Sequence, residues 1–145
     1  ERFPTDKGFT DTELALRAAL RHGASHIVVV SCVGRRLDHS FSALSLLVDP
    51  TLAGVTVEAW WGSAHVHAVR GPATRAIPGR VGETVSLLPI DGSAHGVVAS
   101  GVQYPLHHET LSATAGRGVS NVFTETELHL RLDSGALLVI RPEAL

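Results

Sequence analysis

Arg35, Arg36 and Asp38 fall within four residues of one another in the run Gly34-Arg35-Arg36-Leu37-Asp38-His39. Guanidinium groups donate paired hydrogen bonds to phosphate oxygens, and a carboxylate beside them can cap a helix or hold a cation. A second acid, Asp11, follows Thr10 at another helix start. If the two starts meet at one end of the fold, the acids and the arginine suit Mg²⁺ and polyphosphate, because the metal offsets phosphate charge. Two helix caps would leave the same pattern, and spacing alone does not separate them. Gly116-Arg117-Gly118-Val119-Ser120-Asn121 is a freer stretch. Ser120 and Asn121 offer a hydroxyl, an amide donor and an amide acceptor to the edge of a heterocycle, or else make a polar connection between strands. His65-Val66-His67 sets two imidazoles on one face of a strand, but a third histidine and a carboxylate do not follow soon afterwards, the next charged residue being Arg70. The spacing therefore predicts a solvent-facing pair, with a metal-binding β domain using His65 and His67 as the alternative.

The elements that must position these groups are organised around His26 to Val48. An apolar run, Ile27 to Val30, passes through a polar turn at Gly34 into Phe41, Leu44, Leu47 and Val48 at helical spacing. That is strand, turn, helix, and the free amides of such a helix start can receive an anion. A continuous β-branched strand predicts cover on both faces by parallel neighbours, and none is obvious in this chain. The missing strands are therefore expected before Glu1. Upstream, Thr10 and Glu13 form a capping box, and Gly23 marks the helix stop.

Past Pro50 the runs Val55–Trp61, Ala64–Val69, Thr84–Leu88, Val97–Ser100, Glu127–Leu132 and Leu137–Arg141 are short and strand-like. Asp133-Ser134-Gly135 between the last two predicts a hairpin. His107-His108-Glu109 reads as loop, and of the adjacent Trp60 and Trp61 one should face the core. The expected organisation is α/β plus all-β: residues 1–50 a partial, Rossmann-like catalytic half, residues 51–145 an antiparallel β-sandwich. A net charge of −2 without basic blocks argues against nucleic acid and membrane surfaces as partners. With no membrane-length apolar run or leader, the expected location is cytoplasmic. The one cysteine, Cys32, excludes an internal disulfide and reads as a small buried hydrophobe.

Five stretches in order, Thr10 to Leu16, Gly34 to His39, Val85 to Pro89, Gly101 to Leu106 and Gly118 to Asn121, together resemble bacterial-type thiamine pyrophosphokinase. The resemblance implies an α/β catalytic domain, a β-sandwich that binds thiamine, and a homodimer with active sites at the domain and subunit junction. It implies transfer of pyrophosphate from ATP to thiamine with Mg²⁺, giving thiamine diphosphate and AMP. Under it, Asp11 and Asp38 associate with the metal, Arg36 binds phosphate, Asp38 sits near the reacting groups, and Lys7, Thr10, Ser120 and Asn121 contact substrates. The family's upstream Gly-Asp-x-Asp-Ser metal motif is absent from this sequence. Gly8 stands where an Asp is usual, and Arg35 replaces a glycine. These departures leave the metal site short of carboxylates and argue for an isolated chain without activity. The competing expectation is a non-catalytic thiamine-binding or dimerisation module.

Overall fold

The computed structural model describes residues 8–31 and 36–145, so the expectations at Lys7, Cys32, Gly34 and Arg35 lie outside the described residues. The helix α1 (Asp11–Arg21) begins as its sequence predicts: Thr10 Oγ1 accepts from the Glu13 backbone N–H at 3.2 Å. The Glu13 side chain does not turn back to complete the box. It accepts from Arg17, one turn on, at 2.8 Å. Gly23, at φ +75°, follows the last turn in the left-handed region that glycine enters without strain.

The strand β1 (His26–Ser31) packs only one face. Ile27 and Val29 meet the core, whereas Val28 is 48% and Val30 78% exposed, so the described residues do not supply the expected double cover. Nor is β1 without a parallel neighbour. Helix α2 (Leu37–Leu46) and a short 3-10 turn at Pro50–Leu52 carry the chain back to β2 (Thr56–Trp61), which runs parallel to β1 from His26 opposite Thr56 to Ser31 opposite Trp61. The neighbour was hard to read because Val57 and Ala59 are buried while Glu58 and Trp60 alternate on the other, open face. A one-sided pattern looks antiparallel in sequence.

Eight further strands follow: β3 (Ala64–Arg70), β4 (Ala73–Pro78), β5 (Thr84–Pro89), β6 (Ala94–Ser100), β7 (Leu106–Leu111), β8 (Asn121–Val122), β9 (Glu127–Leu132) and β10 (Ala136–Arg141). They complete a mixed sheet of order β1-β2-β3-β10-β5-β8 and an antiparallel sheet of order β4-β9-β6-β7. His107-His108-Glu109 lies inside β7 and is not a loop. The Asp133–Gly135 turn is not a hairpin either, since β9 pairs with β4 and β6 while β10 pairs with β3 and β5. The burial patterns match the split: strand β9 buries only Leu128, Leu130 and Leu132, on one face, whereas β10 buries Ala136 to Val139 on both faces. The turn instead crosses between sheets.

Three layers result. Leu16, Leu47 and Leu52 pack from the helical side against Val57, Val66 and Leu138 of the mixed sheet. On its opposite face Val85, Leu87 and Val139 meet Leu128, Leu130 and Leu111 of the second sheet. The second sheet backs the β3-β10-β5 region, and among the described residues nothing covers the face of β1 and β2 that carries Val28, Val30 and Glu58.

Candidate active site

The two acidic helix starts lie at one end of the mixed sheet. Only residues 22–25 separate α1 from β1, so α1 runs back along the strand and its first residue, Asp11, returns to the strand's carboxyl end. Helix α2 begins at that same end. The ends of β1, β2 and β10 are joined there, Gly62 N–H donating to Ser31 O at 3.1 Å and Ala144 N–H to Ser63 O at 3.0 Å. In open sheets with parallel strands, ligands gather outside the carboxyl ends.

Arg36 occupies the N-cap position of α2 and makes no side-chain cap, while Asp38 sits in the first turn. Asp38 is therefore not the helix cap. Its carboxylate takes two hydrogen bonds from Arg36, at 3.2 and 2.6 Å, and both side chains are exposed. The Arg36 hydrogen bond, helped by the His39 backbone N–H, holds Asp38 down at about 2 against the opposing effect of desolvation. The same pairing raises Arg36. At neutral pH Asp38 is thus a fixed negative charge that orients Arg36, and it is far too acidic to deliver a proton. Asp11 is exposed at the first position of α1, and Thr10 is occupied as the cap.

Ser120 and Asn121 belong to the other edge. Asn121 is 2% exposed, and its Oδ1 accepts from the Tyr104 and Val122 backbone N–H groups, both at 2.9 Å. Its Nδ2 donates to Tyr104 O at 2.8 Å. Ser120, exposed and at φ +56°, donates its backbone N–H to Ser86 Oγ at 3.1 Å. Gly118, at φ +96°, accepts from Leu87 N–H at 2.8 Å, and a Cβ there would stand 2.7 Å from Leu87 O. The glycine is what lets this loop lie against β5. Arg117 closes the loop onto β7 through Glu109 at 2.9 Å.

Within the mixed sheet β8 stands five places from β1. At a strand spacing of about 4.8 Å the loop and the start of α2 are roughly 24 Å apart. The structure therefore brings Asp11, Arg36 and Asp38 to one end of the fold and leaves Ser120 and Asn121 across the sheet.

The histidine pair differs from its expected place. His65 is 8% exposed, its Nε2 lies 2.9 Å from Glu58 Oε2, and its ring stacks on Trp60 with centroids 4.1 Å apart. Burial lowers the His67 imidazole to about 4. The carboxylate that sequence spacing failed to find comes from upstream, because the β2–β3 register sets Glu58 opposite His67. Trp60 and Trp61 are both half-buried, so neither is a core residue.

Residues 1–58 match the family model described as thiamin pyrophosphokinase, catalytic domain, and residues 74–137 that described as thiamin pyrophosphokinase, vitamin B1 binding domain. No curated protein sequence matches the chain. Among solved structures, thiamine pyrophosphokinase from Bacillus subtilis is similar with a TM-score of 0.84 at 23% identity, over 96% of this chain and 65% of that one. The Geobacillus thermodenitrificans protein gives 0.78 at 26%, over 96% and 64%. The Candida albicans protein gives 0.68 at 16%, over 85% and 50%. The chain thus spans just under two thirds of its first bacterial relatives. With both of the family's domain models matched in order, and a layered fold shared with these structures, the chain belongs to the thiamin pyrophosphokinase family.

Proposed function

We propose that this chain carries most of an enzyme that transfers pyrophosphate from ATP to the hydroxyl of thiamine, giving thiamine diphosphate and AMP. The observation that supports the reading most directly is the gathering of Asp11, Arg36 and Asp38 at the carboxyl end of the parallel strands in a chain of this family. Arg36, held by Asp38, offers its remaining donors to phosphate oxygens and stabilises charge that develops as the hydroxyl attacks. Asp11 and Asp38 are the oxygen donors suited to Mg²⁺, which would offset polyphosphate charge. Thr10 is assigned to the substrate side of the same end, and Lys7, which lies outside the described residues, to substrate by the family resemblance alone. Ser120 is assigned to thiamine, with Asn121 fixing the backbone of Tyr104 beside it. Residues 1–50 serve as the catalytic half and 51–145 as the thiamine half, although one sheet runs through both. The setting is cytoplasmic.

The separation across the sheet bears on assembly. Reacting atoms must approach to about 3–3.5 Å, and binding groups roughly 24 Å apart across one chain favour a site shared between two copies. A homodimer in which one copy brings the α2 end and its partner the Ser120 loop meets this requirement.

In the complete enzyme, Asp38→Asn should lower turnover by about 10²-fold or more with little change in melting temperature, since the residue is exposed and caps nothing. Unchanged turnover would remove Asp38 from the machinery. A non-catalytic thiamine-binding module is the second reading. It is favoured by one observation: among the described residues the only cluster of three potential metal ligands is Glu58, His65 and His67, and it does not include Asp11 or Asp38. Thiamine binding without AMP formation by the complete protein would establish it.

A further inference from the structure

We propose that Glu58, His65 and His67 form a binding site for a divalent transition-metal ion of the zinc class on the open face of the mixed sheet. The site is separate from the helix starts assigned to phosphate and magnesium. One potential ligand atom from each of the three residues lies within 4.8 Å of the others. His65 Nε2 stands 2.9 Å from Glu58 Oε2, and His67 Nδ1 stands 3.8 Å from Glu58 Oε1. A tetrahedral centre with bonds of about 2.0–2.1 Å holds its ligands roughly 3.3–3.4 Å apart, so the observed separations bracket what one shared ion requires.

The position is built, not incidental. Glu58 and His67 are directly opposite in the β2–β3 register and His65 is two residues along on the same face, so backbone pairing fixes all three origins. Stacking on Trp60, within 6° of parallel, fixes the His65 ring. His67 is the residue that ordinary hydrogen bonding does not account for. Its Nε2 is buried with no partner among the described residues, and its Nδ1, at 3.8 Å, is too far from Glu58 to hydrogen bond. A fourth donor is at hand, His26 Nε2 standing 3.5 Å from Glu58 Oε1 on the neighbouring strand, and half-exposed, so that either it or water completes the shell. A cavity of about 450 Å³ bounded by Glu58, His65, His67 and the β4 residues Arg75 to Pro78 gives an ion its route in. Two imidazoles with one carboxylate select zinc and its neighbours over magnesium and calcium, which take all-oxygen shells.

The test uses the untagged chain after chelator treatment. Calorimetry with ZnCl₂ should give one ion per chain, accompanied by a rise in melting temperature that MgCl₂ at the same concentration does not produce. Co²⁺ should give the intense visible absorption of a tetrahedral N/O site. His65→Gln and Glu58→Gln should each weaken Zn²⁺ binding by at least roughly tenfold, since even outer-shell losses cost that much. His26→Gln should weaken it less. Absence of stoichiometric Zn²⁺ in the unsubstituted chain overturns the proposal, as does unchanged affinity in the two variants. Where a variant does not fold, the Co²⁺ spectrum of the unsubstituted chain decides, and a weak octahedral spectrum rejects the site.

Discussion

Asn121 spends three hydrogen bonds on the backbone of Tyr104 and Val122, so its removal leaves buried donors and an acceptor without partners. Asn121→Ala should therefore lower stability by about 1–3 kcal/mol in denaturant unfolding, whereas Ser120→Ala, at an exposed position, should leave it nearly unchanged. Equal effects would show that the clamp is not what orders the loop. Glu83 and Arg141 form the other residue-level device, a buried pair with Arg141 Nε donating to Glu83 Oε1 at 2.8 Å. Burial pushes the Glu83 carboxyl up, but hydrogen bonds from Arg141 and from the Arg80 backbone outweigh it, and the net shift is downward from 4.5. A carboxyl more acidic when folded contributes stability that is complete above its unfolded pKa and is lost as pH falls through the folded one. Unfolding measured against pH should thus show weakening below about pH 4.5, a limb that Glu83→Gln flattens. That substitution also strands the Arg141 charge, at a cost of about 3–5 kcal/mol at neutral pH.

Elements differ in how firmly they are held. Helix α1 buries only Leu14 and Leu16, while β10 buries its residues on both faces at the centre of the mixed sheet. Hydrogen exchange should be faster over Asp11 to Leu20 than over Leu128 to Ile140, and equal protection would contradict this ranking. The same contrast governs what was legible. The cap at Thr10, the stop at Gly23, the β1 run and the one-faced leucines of β9 follow from local rules, and each is where its residues place it. Strands β4, β7 and β8 were not, because β4 and β7 edge the second sheet and alternate weakly, and β8 has two residues. An edge strand needs little apolar pattern, since its pairing is with one backbone neighbour.

At the scale of the molecule, the mixed sheet holds the two halves of the proposed active site at its opposite edges. A dimer that shares sites has a measurable signature. Complete enzyme carrying Asp38→Asn, mixed and refolded with enzyme carrying Ser120→Ala and Asn121→Ala, should recover roughly one quarter of unsubstituted turnover, since half the dimers are mixed and each has one intact site. No recovery, with mixed dimers demonstrated by mass, would place each site within one chain.

What the sequence determined by itself is local and ordered along the chain: the Thr10 cap, the stop at Gly23, and the motifs whose order marks the family. Those features depend on neighbours a few residues away, and so survive without coordinates. Only the tertiary structure decided that Asp11 and Asp38 share an end, that β9 and β10 part into different sheets, and that Glu58 stands opposite His67. Each of these is a matter of strand pairing and register between distant segments. Register is settled by which faces the whole fold can bury, and no local spacing carries that information.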